Sequence, residues 1–300
     1  MDGPALPGAA RLPWDSPGRT LASPAGQRKG WKAGAGKRQD SEVMSTARRT
    51  TRTVRVGDLK IGSVHPIAVQ SMTTTTPAER DESLAQIRAL RAAGCALVRL
   101  AVPSVEAARA LGPLREALRR EGIDLPLVAD VHFLPAAALE AAAHAEKVRI
   151  NPGNFAPAAE AVRPRLAPLI DRLRERGGAL RIGVNHGSLA PYLTEAQGHG
   201  PEAMVASALE YVRHCWGLDF RDLVVSLKAS NPAVMVAANR LLAERLDAEG
   251  YDVPIHLGVT EAGEGAEGEL RSAVGIGALL LDGIGDTIRV SLTGDPAAEI

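Results

Sequence analysis

The chain is short of several things, and each shortage removes a class of answer. Its 300 residues include only two cysteines, Cys95 and Cys215, which lie far apart and form no CxxC pair. That excludes a disulfide framework; both read as small core residues of a reducing compartment. Net charge is absent too: Lys+Arg and Asp+Glu stand at 35 each, so nothing demands nucleic acid or an anionic membrane as partner. No apolar run approaches the roughly 18 residues that a membrane span requires. The chain is expected to be cytoplasmic. A dinucleotide-type GxGxxG is missing after the first strand, and Gly275-x-Gly277 falls inside a helix, where close packing explains it. Gly36-Lys37-Arg38 lacks the Ser/Thr and the preceding strand of a phosphate loop.

What is present is a 45% apolar content, enough for one large α/β domain or two smaller ones. Residues 1–45 are dense in Gly, Pro, Ala and basic side chains without an apolar period, and are expected to form a disordered N-terminal extension. A transit peptide is one reading of it; the duller one is an over-long start, with Met44 opening the protein proper. Residues 46–300 are expected to be a single barrel domain.

Order begins near Thr53. Val54 and Val56, then Gly57-Asp58, then Leu59 and Ile61 alternate around a turn, as a hairpin does. A repeating unit follows, a short apolar strand and then an amphipathic helix. Strands are predicted at Pro66–Gln70, Ala96–Val102, Pro126–Asp130, Lys147–Ile150, Leu180–Asn185, Asp222–Ala229, Pro254–Thr260 and Thr287–Leu292. Between them, Leu84, Ile87 and Leu90 share a helix face that ends at Gly94, Ser104 caps a helix ending at Gly122, and Asn231-Pro232 opens one ending at Gly250. Eight such units over about 250 residues fit a closed (β/α)8 TIM barrel; an open doubly wound sheet is the runner-up. After the last strand, Asp295-Pro296 is a cap and first turn, and about one turn of closing helix remains before Ile300. The barrel is therefore expected to be truncated at its last helix, as part of a longer protein.

In barrels of this kind the chemistry sits on the loops after the strands. The strand ends supply Gln70-Ser71-Met72, Arg99, Asp130 with His132, Arg149 with Asn151, Arg181 with Asn185, Ser226 with Lys228, His256 with Glu261, and Arg289 with Ser291. Six strands thus carry a cation within an apolar run. Any one alone reads equally as a rim side chain paired with a structural carboxylate. Together they are harder to explain: two like charges about 6 Å apart repel by roughly 3 kcal/mol at an effective dielectric near 20. With only Asp130 and Glu261 apparent as counter-charges, a multiply anionic ligand is the natural partner, a phosphate or diphosphate. Glu261 reads either as an acid/base group or as a helix N-terminal acid. Asp130-x-His132 lacks a third ligand for a metal, and reads as a hydrogen-bonded orienting pair.

Several runs resemble the bacterial 4-hydroxy-3-methylbut-2-enyl diphosphate synthases. They are Ile67-Ala-Val-Gln-Ser-Met-Thr73, Val128-Ala-Asp-Val-His-Phe133, Arg149-Ile-Asn-Pro-Gly-Asn154 and Arg181-Ile-Gly-Val-Asn185. Ser226-Leu-Lys-Ala-Ser230, His256-Leu-Gly-Val-Thr-Glu-Ala-Gly263 and Gly283-Ile-Gly-Asp-Thr-Ile-Arg-Val-Ser-Leu292 complete the set. The resemblance runs in the family's order over about residues 50 to 300. It implies reductive ring opening and dehydration of 2-C-methyl-D-erythritol 2,4-cyclodiphosphate, in the non-mevalonate isoprenoid pathway. Electrons would come from flavodoxin or ferredoxin through a 4Fe-4S cluster, in a homodimer. By motif, Arg99, Arg149, Arg181, Lys228, Arg289, Asn185 and Ser291 would grip the substrate and Glu261 would be the acid/base; Asp130, His132, Asn151, Ser226 and His256 complete the expected binding set. The family holds its cluster with three cysteines and a glutamate in a C-terminal domain. Neither Cys95 nor Cys215 lies in such a motif, so no metal ligand is expected here and the barrel alone should bind without reducing. The plant-type insert is missing between the motifs, which favours a bacterial source. A pterin-binding or methyl-transfer barrel of the dihydropteroate synthase type is the competing enzyme, with fewer charges and more stacking surface than this chain offers. A non-catalytic phosphate-ligand binding module is the third reading.

Overall fold

The computed structural model describes residues 47–300; the expected disordered extension lies outside the described residues. The hairpin forms as read. β1 (Val54–Val56) and β2 (Leu59–Ile61) pair antiparallel, with Val56 opposite Leu59. Gly57 takes the turn at φ +60°, a left-handed conformation that a Cβ disfavours. Val54, Val56 and Ile61 pack on Ala68, Leu97, Val128, Ala179 and Val224, each on a different strand of the main sheet. The hairpin therefore plugs the end of the barrel where the strands begin.

The eight strands are β3 (Ala68–Met72), β4 (Leu97–Ala101), β5 (Leu127–Val131), β6 (Lys147–Ile150), β7 (Ala179–Asn185), β8 (Leu223–Lys228), β9 (His256–Leu257) and β10 (Thr287–Ile288). They run parallel in the order β8-β7-β6-β5-β4-β3-β10-β9. A parallel bridge between Val225 and Ile255 joins the two ends, closing the ring. Leu97 faces the plug while Val98 and Leu100 belong to the layer between sheet and helices, the two-residue alternation of a strand buried on both faces.

Around the sheet lie α1 (Arg80–Ala93), α2 (Val105–Arg120), α3 (Pro135–Ala141), the short α4 (Pro152–Phe155), α5 (Ala159–Arg176), α6 (Pro191–Gln197), α7 (Pro201–Gly217), α8 (Pro232–Ala248) and α9 (Gly265–Leu281). Two 3₁₀ turns, His186–Ser188 and Pro296–Glu299, complete the set. The caps follow the sequence. Ser104 Oγ accepts from Ala107 N at 3.2 Å, Asn231 Oδ1 from Ala233 N at 2.9 Å, and Asp295 Oδ1 from Ala297 N at 2.9 Å; each satisfies an orphan N–H of a first turn. α1 buries Leu84, Ile87 and Leu90 and stops at Gly94, φ +98°.

Lys147–Ile150 has the bounds read from the sequence, four strands differ from the reading by one residue at one or both ends, and three differ by more. The first barrel strand begins at Ala68 rather than Pro66, because proline has no N–H for the ladder; Ala68 N makes the first bond, 3.1 Å to Asp286 O. The last two strands are shorter than expected. β9 stops before Gly258, where a Cβ would collide with Arg289 O and Lys228 Nζ. Beyond Ile288 the chain bends towards Glu299, a residue described below. Close packing holds for Gly275, where a Cβ would meet Met235 and Val259, but not for Gly277, which has open space.

Candidate functional site

The C-terminal ends of the strands gather the charged side chains. Arg149 on β6 lies against Gly183 of the neighbouring β7, where any Cβ would occupy the guanidinium's position. From there its Nη2 donates to Gly183 O at 2.7 Å and its Nη1 to Asp130 Oδ1 at 2.8 Å. Nη1 also lies 2.5 Å from His132 Nε2, which must then act as an acceptor. Arg99 Nε is 3.3 Å from Asp130 Oδ2, and its Nε and Nη2 sit 3.0 and 2.9 Å from Met72 Sδ. Asp130 thus orients the two arginines, and His132 Nε2 is a second acceptor for Arg149. Burial works to raise its pKa, but Arg149 and Arg99 outweigh it and hold the carboxyl well below the usual carboxylate range.

Arg181 and Lys228 are the unpaired members. Arg181 is 1% exposed, and its Nε and Nη1 have no hydrogen-bond partner among the described residues. Burial, then repulsion from Arg99 and Arg149, pushes its pKa well below the ordinary arginine value. Lys228 is driven down likewise by burial and by Arg99, Arg181, Arg289 and Arg149. Arg99 falls to about 10, burial being the largest cause and Asp130 opposing it. Arg181 is in register with Arg149, Asp130 bridges Arg149 and Arg99, and Lys228 Nζ and the Arg289 backbone both crowd Gly258, so the five cations lie at one end of the barrel.

One counter-charge was not anticipated. Glu299, in the 3₁₀ turn after β10, is buried, and it accepts from Arg289 Nε at 3.0 Å and Nη2 at 2.7 Å, from Ser71 Oγ at 2.7 Å and from Leu292 N at 3.2 Å. The expectation that Asp130 and Glu261 were the only acids at this face is corrected accordingly. Among the described residues, five cations (Arg99, Arg149, Arg181, Lys228, Arg289) still face only two buried carboxylates, Asp130 and Glu299. The positive surplus is reduced but survives.

The remaining expected residues divide into three groups. Asn185, in register with Lys228, and Glu261 line a cavity of about 300 Å³ with His186, Ser188, Ser230 and Thr260. Glu261 is exposed there and held at φ +51°, a strained backbone for a residue with a Cβ. Ser226 and His256 are buried within the strands; His256 Nδ1 is 3.3 Å from Thr287 Oγ1, and burial followed by Lys228, Arg181, Lys147 and Arg99 keeps the imidazole neutral. Asn151 is engaged locally, its Nδ2 donating to Ser188 Oγ at 2.8 Å and its Oδ1 capping α4 through Gly153 N. Ser291 is half-buried just past Arg289.

The described residues do not fit an iron–sulfur cluster. Cys95, just before β4, donates its Sγ–H to Leu97 O at 3.1 Å, and Cys215 is buried in α7, its thiol pKa pushed up by burial. No group of three His, Cys, Asp or Glu that could hold a metal occurs among them. Nor is any described helix long and apolar enough to cross a membrane.

Comparison with known proteins places the chain. The GcpE TIM-barrel domain family matches residues 51–300. A 4-hydroxy-3-methylbut-2-en-1-yl diphosphate synthase (ferredoxin) of Synechococcus elongatus is 51% identical over 84% of this chain and 67% of its own length. A flavodoxin-type synthase of Chlamydia felis is 48% identical over 85% of this chain, which spans only 45% of that relative. Among solved structures, dihydropteroate synthase of Burkholderia cenocepacia aligns with a TM-score of 0.50 at 18% identity, covering 83% of this chain and 93% of that one. That likeness concerns the fold alone.

Proposed function

Because the chain belongs to the GcpE TIM-barrel domain family, we propose that it is the substrate-binding barrel of a 4-hydroxy-3-methylbut-2-enyl diphosphate synthase. The carrying observation is the surplus of buried positive charge: Arg181 and Lys228 have no carboxylate of their own, in a ring where Asp130 and Glu299 are already engaged. A doubly phosphorylated ligand supplies the missing anions. The substrate is 2-C-methyl-D-erythritol 2,4-cyclodiphosphate, bound by Arg99, Arg149, Arg181, Lys228 and Arg289, with Asn185 and Ser291 hydrogen-bonding at its edge. Asp130 and His132 aim Arg149 and Arg99 rather than touching the ligand. Ser226, His256 and Asn151 form the polar floor and wall of the site.

Glu261 stands on the exposed side of the mouth, beside the cavity that Asn185 also lines. From there it serves as the acid that protonates a departing oxygen, or as the base that takes the proton back. Neutralising the diphosphate's charge helps the ring-opening step, because a ring C–O bond breaks with negative charge building on phosphate oxygen. A 4Fe-4S cluster held by residues other than those described would supply the reducing chemistry, with flavodoxin or ferredoxin as the electron donor, in a cytoplasmic homodimer. Reduction is assigned to none of the residues described.

Calorimetry separates this reading from a pterin-binding barrel. Titration with the cyclodiphosphate should give saturable heat, and titration with a dihydropterin none; the opposite pattern rejects the proposal.

A further inference from the structure

Lys147 opens β6. Along that strand Val148 and Ile150 turn outward into the layer shared with the helices, so Lys147 and Arg149 face the barrel interior together. Arg149 is in register with Asp130 and Arg181, at the level of the charged ring. Lys147 is one step lower, in register with Val128 and Ala179 of the apolar plug. Its side chain is fully buried, and Nζ has no hydrogen-bond partner among the described residues. An amine taken out of water without an acceptor is strongly unfavourable. The preceding residue shows what a structural pairing looks like here. Glu146 accepts from Arg115 and from Leu127 N at 2.8 Å, and makes no hydrogen bond with Lys147 Nζ.

The charged and titratable groups facing Lys147 are all basic. They are Arg181 of β7 and Arg99 of β4, with His256 of β9 feeling the lysine in turn. Two residues along a strand rise about 6.6 Å, within the reach of a lysine side chain, so its head can reach the level of Arg149 and Arg181 even though its backbone sits among valine and alanine. A long apolar stem crossing an apolar layer towards a polar end is the usual posture of a buried lysine.

We propose that Lys147 is a further binding residue of the same site, its Nζ reaching from beneath the ring to the innermost phosphate of a bound diphosphate. The inference rests on the diphosphate reading and deepens it. In the ligand-free chain, burial and then Arg181 and Arg99 push the amine well below the ordinary lysine range. An anion beside it restores the proton, so binding takes up protons from solution.

The test is calorimetric titration of inorganic pyrophosphate into the unaltered chain, Lys147→Met and Lys147→Gln, in two buffers of different ionisation heat. Both variants should bind roughly ten- to hundredfold more weakly, the loss of one charge-assisted hydrogen bond. They should take up fewer protons on binding, and should melt at the same or a higher temperature when ligand-free. Pyrophosphate's own protonation change is common to all three and drops out of the difference. A purely structural lysine gives the reverse: lower melting temperatures with unchanged affinity and proton count. If the unaltered chain binds and both variants match it, Lys147 has no binding role. If the unaltered chain binds no pyrophosphate, the diphosphate reading falls and the inference with it.

Discussion

At the end of the barrel where the strands begin, Asp286 is buried with both oxygens taken. Oδ1 receives Arg48 Nη2 at 2.8 Å and Thr51 Oγ1 at 2.9 Å, and Oδ2 receives Ile255 N at 2.8 Å. Arg49 is likewise satisfied by Asp247, Val253 O and Tyr251 O. The hairpin plug then fills the interior with apolar side chains. At the opposite end Arg181 and Lys228 are just as buried and have no acid of their own. One chain therefore solves the cost of buried charge at one end and leaves it standing at the other. The closed end reads as a stability device, and the charged end as a place where stability is held back for a ligand.

Substitutions that act on one end only should break this division if it is wrong. The largest effect is expected for Leu97→Ala. It removes a fully buried side chain that packs against the plug and should cost about 2–5 kcal/mol of unfolding free energy, with diphosphate affinity of the folded fraction unchanged in calorimetry. Arg181→Met should do the opposite. Diphosphate affinity should fall about a hundredfold, close to 3 kcal/mol, while the ligand-free melting temperature holds or rises. Equal losses in both would make Arg181 structural.

Glu299→Gln sharpens the comparison, because Glu299 belongs to the charged end yet pairs like the closed one. Denaturant unfolding should show a loss of about 1–3 kcal/mol as the grip on Arg289 weakens; an unchanged midpoint would mean that this ion pair contributes nothing to the fold. The smallest effect concerns pH. Lys228 is an amine whose pKa folding lowers, so between its folded and its ordinary value, about 10.4, the unfolded chain binds more protons. Raising pH across that window stabilises the folded form. Lys228→Met removes the penalty, so its melting temperature should exceed that of the unaltered chain at pH 7, and the gap should close by pH 10. A gap that widens with pH contradicts the assigned direction.

Much of this was legible in the sequence because the physics is local. Ser104, Asn231 and Asp295 announce first turns by side-chain chemistry alone, and the caps form. Arg99, Arg149, Arg181 and Lys228 stood out because a cation in an apolar strand needs a reason. Glu299 did not stand out. It follows a proline-led turn at a polar stretch, where an acid looks like a solvated residue, and only the bend after β10 brings it to Arg289 and Ser71. Lys147 was read merely as the start of a strand. The signal was there, since a two-residue period places it on the face of Arg149, but only closure of the barrel shows that no acid faces it. Asn151 Oδ1 caps the next helix through Gly153 N, as an Asn-Pro pair allows, whereas its Nδ2 contact with Ser188 Oγ joins two strand ends and is not encoded by spacing.

The most direct examination of the convergent cations is a crystal structure of the chain with 2-C-methyl-D-erythritol 2,4-cyclodiphosphate. The account predicts the two phosphates enclosed by Arg99, Arg149, Arg181, Lys228 and Arg289, with Glu261 across the ring from them. Ligand density elsewhere on the molecule, or phosphates that none of those five side chains touches at saturating ligand, would contradict it.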